Sequence, residues 1–284
     1  MEFLSYISEW IEVLLRWSHV MFAILWVGNS FLFNFLDNKL EKNITSGEVD
    51  ADGILQHSGW FYRVERLKVP PENFSKNLII FKWQSYLTFI TGMLLLIIIY
   101  YVNSKNFMID KSVNENITPL MGIGISIFSI IGSWLIYDFI CKSKLINNKI
   151  IFPIVLLIIG AVISFGLTKI FEARFAFLSV GVILGCIMFF NVFFVIIPNG
   201  KNITASALNK KEFDVNLSNR AKSRSVDNNI ITFLVLFIML SAGHGYFIWI
   251  SQYNWIILLL LAIVLGSIRH FFNLKAKKKI KFLL

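Results

Sequence analysis

Runs of about twenty apolar residues, the length that crosses a bilayer as helix, recur along the whole chain between short polar segments. They place seven transmembrane helices at 10–36, 79–102, 119–140, 149–168, 175–197, 229–249 and 254–272. Stretches such as "LLLIIIYYV" and "WIILLLLAIVLG" are apolar on every face, as suits helices that meet lipid or lie fully buried in a membrane bundle. The expected fold class is all-α: a polytopic membrane helix bundle forming one membrane-embedded domain over 1–284. Its two long polar connectors lie at 37–78 and 198–228. Gly181 and Gly185 fall on one span at a spacing that lets two helices approach closely.

Composition agrees with this reading. Hydrophobic residues make up 56% of the 284 and charged residues 15%, against about a quarter charged in soluble domains. Mean hydropathy is +0.68. The net charge of +10 is not spread as a nucleic-acid surface would require. Most Lys and Arg fall in 37–78, 141–149, 198–228 and the tail from Arg269, all on one side of the seven-span path. The positive-inside rule makes that side cytoplasmic, with the N-terminus outside and the C-terminus inside. Glu2, Glu9 and Glu12 stand where a signal peptide would be basic, and no small-residue cleavage site follows, so the first span is expected to be retained. The setting expected is a bacterial inner membrane. "KAKKKIKF" near the C-terminus reads as an anchor to anionic lipid heads.

Cys141 and Cys186 stand far apart in sequence, and the chain has no CxxC, CxxCH, dinucleotide fingerprint or P-loop. Ionisable groups inside spans are costly and mark candidates for function. His19 lies nine residues past Trp10 and His244 five residues before Trp249, about 13 and 8 Å from the outer face at 1.5 Å per residue. His57 and His270 lie on the cytoplasmic side. One reading pairs His19 with His244, and His57 with His270, as ligands of b-type haem iron. The other has each histidine hydrogen-bonding a neighbouring helix. Arg16 and Glu12 are spaced for a helical ion pair. Lys169, Glu172 and Arg174 read as a solvated outer turn, Asn191 as a bridge between helices, and Ser225, Asp227 and Asn228 as an N-cap cluster.

The blocks "LLRWSHVMFAILWVGNSFLFNFLDNKLE", "HSGWFYRVERLKVPPENF", "FKWQSYLTFITGMLLL", "VIIPNGK", "RAKSRSVDNNIITFLVLFIMLSAGHG" and "IRHFFNL" together resemble the membrane domain of the bacterial membrane-bound urate hydroxylases (urate oxidases). The resemblance covers most of the chain from 10 to 275. It implies a purine-degrading oxidoreductase that converts urate to 5-hydroxyisourate, with electrons leaving through a cytochrome c. Characterised members carry a cytochrome c domain after the membrane part. This chain has no CxxCH, so the acceptor is expected to be a separate cytochrome c or a quinone. The chain departs from the family at Arg63, where a histidine is expected, and just before His244, where an asparagine is expected.

With that resemblance, the connector 57–74 reads as a substrate site. A planar purine anion needs cationic donors and aromatic faces in one cleft. Arg63, Arg66 and Lys68 supply the donors, Trp60, Phe61 and Tyr62 the faces, and His57 or Glu65 the base. Pro70 and Pro71 would stiffen the exit, and Arg220, Lys222 and Arg224 would add positive field. On the residues alone, the same connector reads as an interfacial anchor, its arginines on lipid phosphates. Two other functions stand beside urate oxidation: a b-haem electron-transfer subunit without substrate chemistry, and a purine transporter or assembly protein. The chain shows no internal repeat of the transporter kind.

Overall fold

The computed structural model describes residues 2–42, 49–67, 78–209, 211–212, 214–241 and 253–276. Its helices are α1 (Glu2–Lys39), α2 (Trp83–Leu95), α3 (Ser104–Phe107), α4 (Pro119–Lys142), α5 (Ile151–Thr168), α6 (Ala173–Phe190), α7 (Ile197–Leu208), α8 (Val215–Ser241) and α9 (Asn254–Ala276). Among the described residues, seven helical segments are long and apolar enough to cross a membrane. The protein is the all-α polytopic bundle that the hydropathy pattern predicts.

Small and polar residues decide which helix faces turn inward. In α4, Gly122, Ser126, Ile130, Ser133, Tyr137 and Cys141 are buried. Their spacing of three or four residues puts them on one stripe. Leu120, Phe128, Leu135 and Phe139 of the same helix are exposed, which is where lipid would lie. Caps define the helix starts: Thr118 Oγ1 accepts from Met121 N before Pro119, and Glu172 accepts from Phe175 N at the head of α6. α6 runs through the centre, packing on α2, α4, α5, α8 and α9. Phe89 of α2 stacks on its Phe189 at 3.9 Å.

Gly181 lets α6 and α8 pack closely. A Cβ added there would lie 2.6 Å from Ile238 Cγ2, whereas one added at Gly185 would meet nothing within 4 Å. Close approach therefore explains Gly181 and not Gly185. At the other side of the core, Glu172 N donates to Met108 O at 2.9 Å, pinning the loop ahead of α4 over the fully buried Phe171 and Phe175.

Three differences from the sequence expectation shape the hairpin end of the bundle. First, the connector after α1 is not bare loop. β1 (Glu41–Lys42), β2 (Val49–His57) and β3 (Trp60–Leu67) form an antiparallel sheet in the order β1-β2-β3. Ser58 (φ 51°) and Gly59 (φ 82°) make the two-residue turn, and positive φ at both positions suits the twist of a hairpin. Second, the connector 198–228 is mostly helix. α6 continues through a π turn (Asn191–Ile196) into α7, and α8 begins at Val215. Third, Ser225, Asp227 and Asn228 do not cap a helix. Asp214 does, accepting Asn216 N at 2.8 Å, which leaves those three in the interior of α8.

Replacing Gly181 with valine drives a branched side chain into Ile238. Overpacking of this kind costs about 1–3 kcal/mol. Thermal unfolding in detergent should show a clear fall for Gly181→Val and little change for Gly185→Ala.

Candidate functional site

The polar chemistry gathers where α1, α4 and α9 end and α8 begins. Three constellations lie there or just inside the bundle: the hairpin, a buried arginine network and the surroundings of Arg269; a fourth, a histidine clasp, lies midway along α1.

The hairpin carries most of the residues to which the sequence assigns substrate chemistry. Trp60, Phe61 and Tyr62 are exposed, and so is His57 at the turn. Its arginines are engaged by carboxylates. Arg63 meets Asp52 at 3.3 Å and Glu65 at 2.8 Å. Arg66 meets Asp50 at 2.6 Å and Asp37 at 3.4 Å. Burial pulls the Arg66 guanidinium pKa down, but hydrogen bonding and charge from Asp50, with Asp37, more than offset this and hold it above its ordinary value. Asp37 also takes Lys222 of α8 at 3.2 Å, so these ion pairs fasten the sheet to the bundle. A pocket of about 450 Å³ opens between α1 and the sheet. It is lined by Phe35, Leu36, Lys39, Glu41, Asp52 and Ile54 among others, and its two carboxylates against one lysine do not favour an anion. Lys68 lies outside the described residues.

Deeper in, Arg224 of α8 is 5% exposed. Its Nη2 donates to Asp138 Oδ1 of α4 at 2.6 Å and its Nη1 to Asn191 Oδ1 at 3.3 Å. The guanidinium also lies over the Tyr137 ring at 4.8 Å. Tyr137 OH donates to Asp227 Oδ2 at 2.7 Å. Asn191 Nδ2 donates to Asn228 Oδ1 at 2.9 Å, and Asn228 Nδ2 donates to Met188 O at 2.9 Å. Lys142, largely exposed, closes the network on Asp138 Oδ2 at 2.6 Å. Two cations face two carboxylates and the amides fill the remaining positions, which is the condition for such a cluster to survive in a membrane. Asn191 is the inter-helix bridge that its place in the span suggests. Arg224 is not part of a surface field. The aspartate inside "WLIYDFICK", a charged residue within a span, is the sequence signal for Asp138 and the neighbouring Tyr137.

His19 of α1 is clasped by α2. Its Nδ1 lies 2.9 Å from Thr88 O and 3.2 Å from Thr91 Oγ1. A carbonyl oxygen only accepts, so Nδ1 carries the proton and donates, leaving Nε2 as a bare lone pair. Gly92 makes room for the ring, since a Cβ there would lie 2.8 Å from His19 Cε1. An Nδ1–H fixed by a hydrogen bond, with an unprotonated Nε2 that has no partner among the described residues, is how metal-ligating histidines are held, so the donor chemistry of His19 fits a haem ligand. His244, the partner that the sequence suggests, lies outside the described residues. His57 and His270 are both exposed, and among the described residues no hydrogen bond joins them. No group of three or more His, Cys, Asp or Glu able to hold a metal ion occurs among the described residues.

The surroundings of Arg269 tighten the junction of α1, α2, α8 and α9. Asn29 Nδ2 donates to Gln84 Oε1 at 2.7 Å. Asn229, fully buried, accepts from Arg269 Nε at 2.6 Å. The Arg269 guanidinium lies 4.3 Å from the Phe31 ring centre.

These polar contacts lie within a chain that one sequence family accounts for nearly end to end. The sequence model of the urate oxidase N-terminal family matches residues 5–284. The chain belongs to the urate oxidase N-terminal family. No curated protein matches the chain, and no solved structure does. Membership in the urate oxidase N-terminal family points to a urate-related function, which the resemblance in the sequence blocks also implies.

Removing one partner of the Arg224–Asp138 pair strands a buried charge, which costs about 3–5 kcal/mol. Arg224→Met should therefore lower the melting temperature sharply. Arg224→Met with Asp138→Leu should recover most of the loss, as measured by thermal unfolding in one detergent.

Proposed function

We propose that the protein is a multi-pass oxidoreductase of a bacterial inner membrane that oxidises urate, or a closely related purine, to its 5-hydroxy product. The N-terminus lies outside and the hairpin end faces the cytoplasm. The observation that carries this reading is the family match over residues 5–284. The reaction balances as urate plus water giving 5-hydroxyisourate, two protons and two electrons. The electrons pass to a separate acceptor, a cytochrome c or a quinone.

The chain's own residues support parts of this chemistry. His19 would hold the iron of a b-type haem through Nε2, and a haem bound there would supply one-electron transfer through the bundle. The proton on Nδ1 stays with Thr88 and Thr91, which fixes the ring and keeps Nε2 available. Glu65 is tied to Arg63, which leaves the exposed His57 as the freer of the two bases assigned to the hairpin. A second reading, an electron-transfer subunit without substrate chemistry, is favoured by the His19 clasp alone.

A visible spectrum of the purified full chain, recorded before and after adding urate without oxygen, tests the reading. The expected result is a haem band that reduces on adding urate and disappears in His19→Ala. A band indifferent to urate favours the electron-transfer subunit. A colourless protein that still converts urate removes haem from the account.

A further inference from the structure

Four of the seven described arginines have a carboxylate partner, and Arg174, Arg220 and Arg269 have none among the described residues. Arg16 takes Glu12, Arg63 takes Asp52 and Glu65, Arg66 takes Asp50 and Asp37, and Arg224 takes Asp138. Arg269, inside the last membrane-spanning segment (Asn254–Lys275), has no ion-pair partner among the described residues. A guanidinium has five N–H donors. The Nε–H goes to Asn229, and among the described residues the remaining four have no hydrogen-bond partner. The group lies over Phe31 at 4.3 Å and near Phe233 at 5.9 Å. Those two rings meet edge to face at 5.7 Å.

A cation within a membrane-spanning segment is costly without a counter-charge. For Arg224 of α8 the protein supplies Asp138 of α4. For Arg269 it supplies a neutral amide and two aromatic rings instead, and the residue stays partly accessible. We infer that Arg269, held from behind by the buried Asn229 and bordered by Phe31 and Phe233, is the anion-binding group of a purine site, and that its ligand is a planar purine monoanion. Urate is a monoanion at neutral pH. It offers paired oxygen and nitrogen acceptors along one edge to a guanidinium fork and ring faces to phenyl groups. The alternative anion is a lipid phosphate, which would not need the rings. The neighbouring His270 is the more exposed residue of this turn. This assignment rests on the urate reading and moves its substrate site from the ion-paired hairpin into the junction of α1, α8 and α9.

The test is equilibrium binding of urate, and of neutral hypoxanthine, to the full chain in lipid nanodiscs. Arg269→Gln should weaken urate binding roughly ten- to a hundredfold, the range set by a charge-assisted hydrogen bond, and should abolish the preference for urate over hypoxanthine. Arg269→Lys, which keeps the charge but not the fork, should fall between and serves if the glutamine variant does not fold. Arg16→Gln should bind as the parent does. Parent-like urate affinity in Arg269→Gln and Arg269→Lys overturns the site while leaving the urate reading intact. So does a loss of bound phosphatidylglycerol in place of a loss of urate affinity. Failure of the parent protein itself to bind urate overturns both.

Discussion

A charge buried in a bilayer can be satisfied only by other groups of the protein, and the contact between Arg224 and Asp138 at 2.6 Å shows how this chain meets that constraint. The contact ties α8 to α4. Asn191 then ties both to the π turn below α6, because its side chain accepts from Arg224 and donates to Asn228 and Tyr137. π turns arise where a helix takes in an extra residue, and they cluster at functional positions. Here the turn sits where three helices share one amide. The register of α8 against its neighbours follows, and with it the close approach at Gly181 and the position of Asn229 one residue beyond Asn228.

From that register come two environments at the same end of the bundle. On one side, Asp138 and Asp227 balance Arg224 and Lys142, and the cluster is closed. On the other, Asn229 faces Arg269 and Ser30, with Phe31 and Phe233 around them, and no described carboxylate completes the charge. The hairpin outside both is fastened by Asp37, which holds Arg66 and Lys222 together. Each of its pairs is partly solvated, so each contributes only a few tenths to about 1 kcal/mol. The sheet is thus positioned by several weak contacts, whereas the arginine network is held by strong ones that lipid cannot replace.

The bundle was legible because hydropathy reports the solvent directly: runs long enough to cross a bilayer became helices. The inward stripe of α4 was legible for the same reason, since Gly122, Ser126, Ser133 and Tyr137 repeat at helical spacing. The hairpin was missed although Ser58-Gly59 is a turn signal, because the aromatic and charged residues on either side drew a chemical reading in place of a structural one. Asp227 and Asn228 looked like caps because local sequence cannot show that Tyr137 and Asn191 wait on other helices. The partners of Arg63 and Arg66 were hidden in the same way, since Asp37, Asp50 and Asp52 come into register only when α1 ends and the sheet folds back. Arg269 read as part of a basic tail; only the packing of α9 on α8 turns it inward while leaving His270 outside.

The central claim is that purine oxidation begins at the hairpin end of the bundle and that electrons leave across it. Sealed vesicles prepared with the protein in known orientation allow urate to be supplied to one face while an impermeant electron acceptor is supplied to the other. The account predicts acceptor reduction, matched by loss of urate, only when urate meets the face that carries the hairpin and the end of α9. Oxidation that proceeds only from the opposite face, or urate loss with no electron reaching the acceptor, would contradict it.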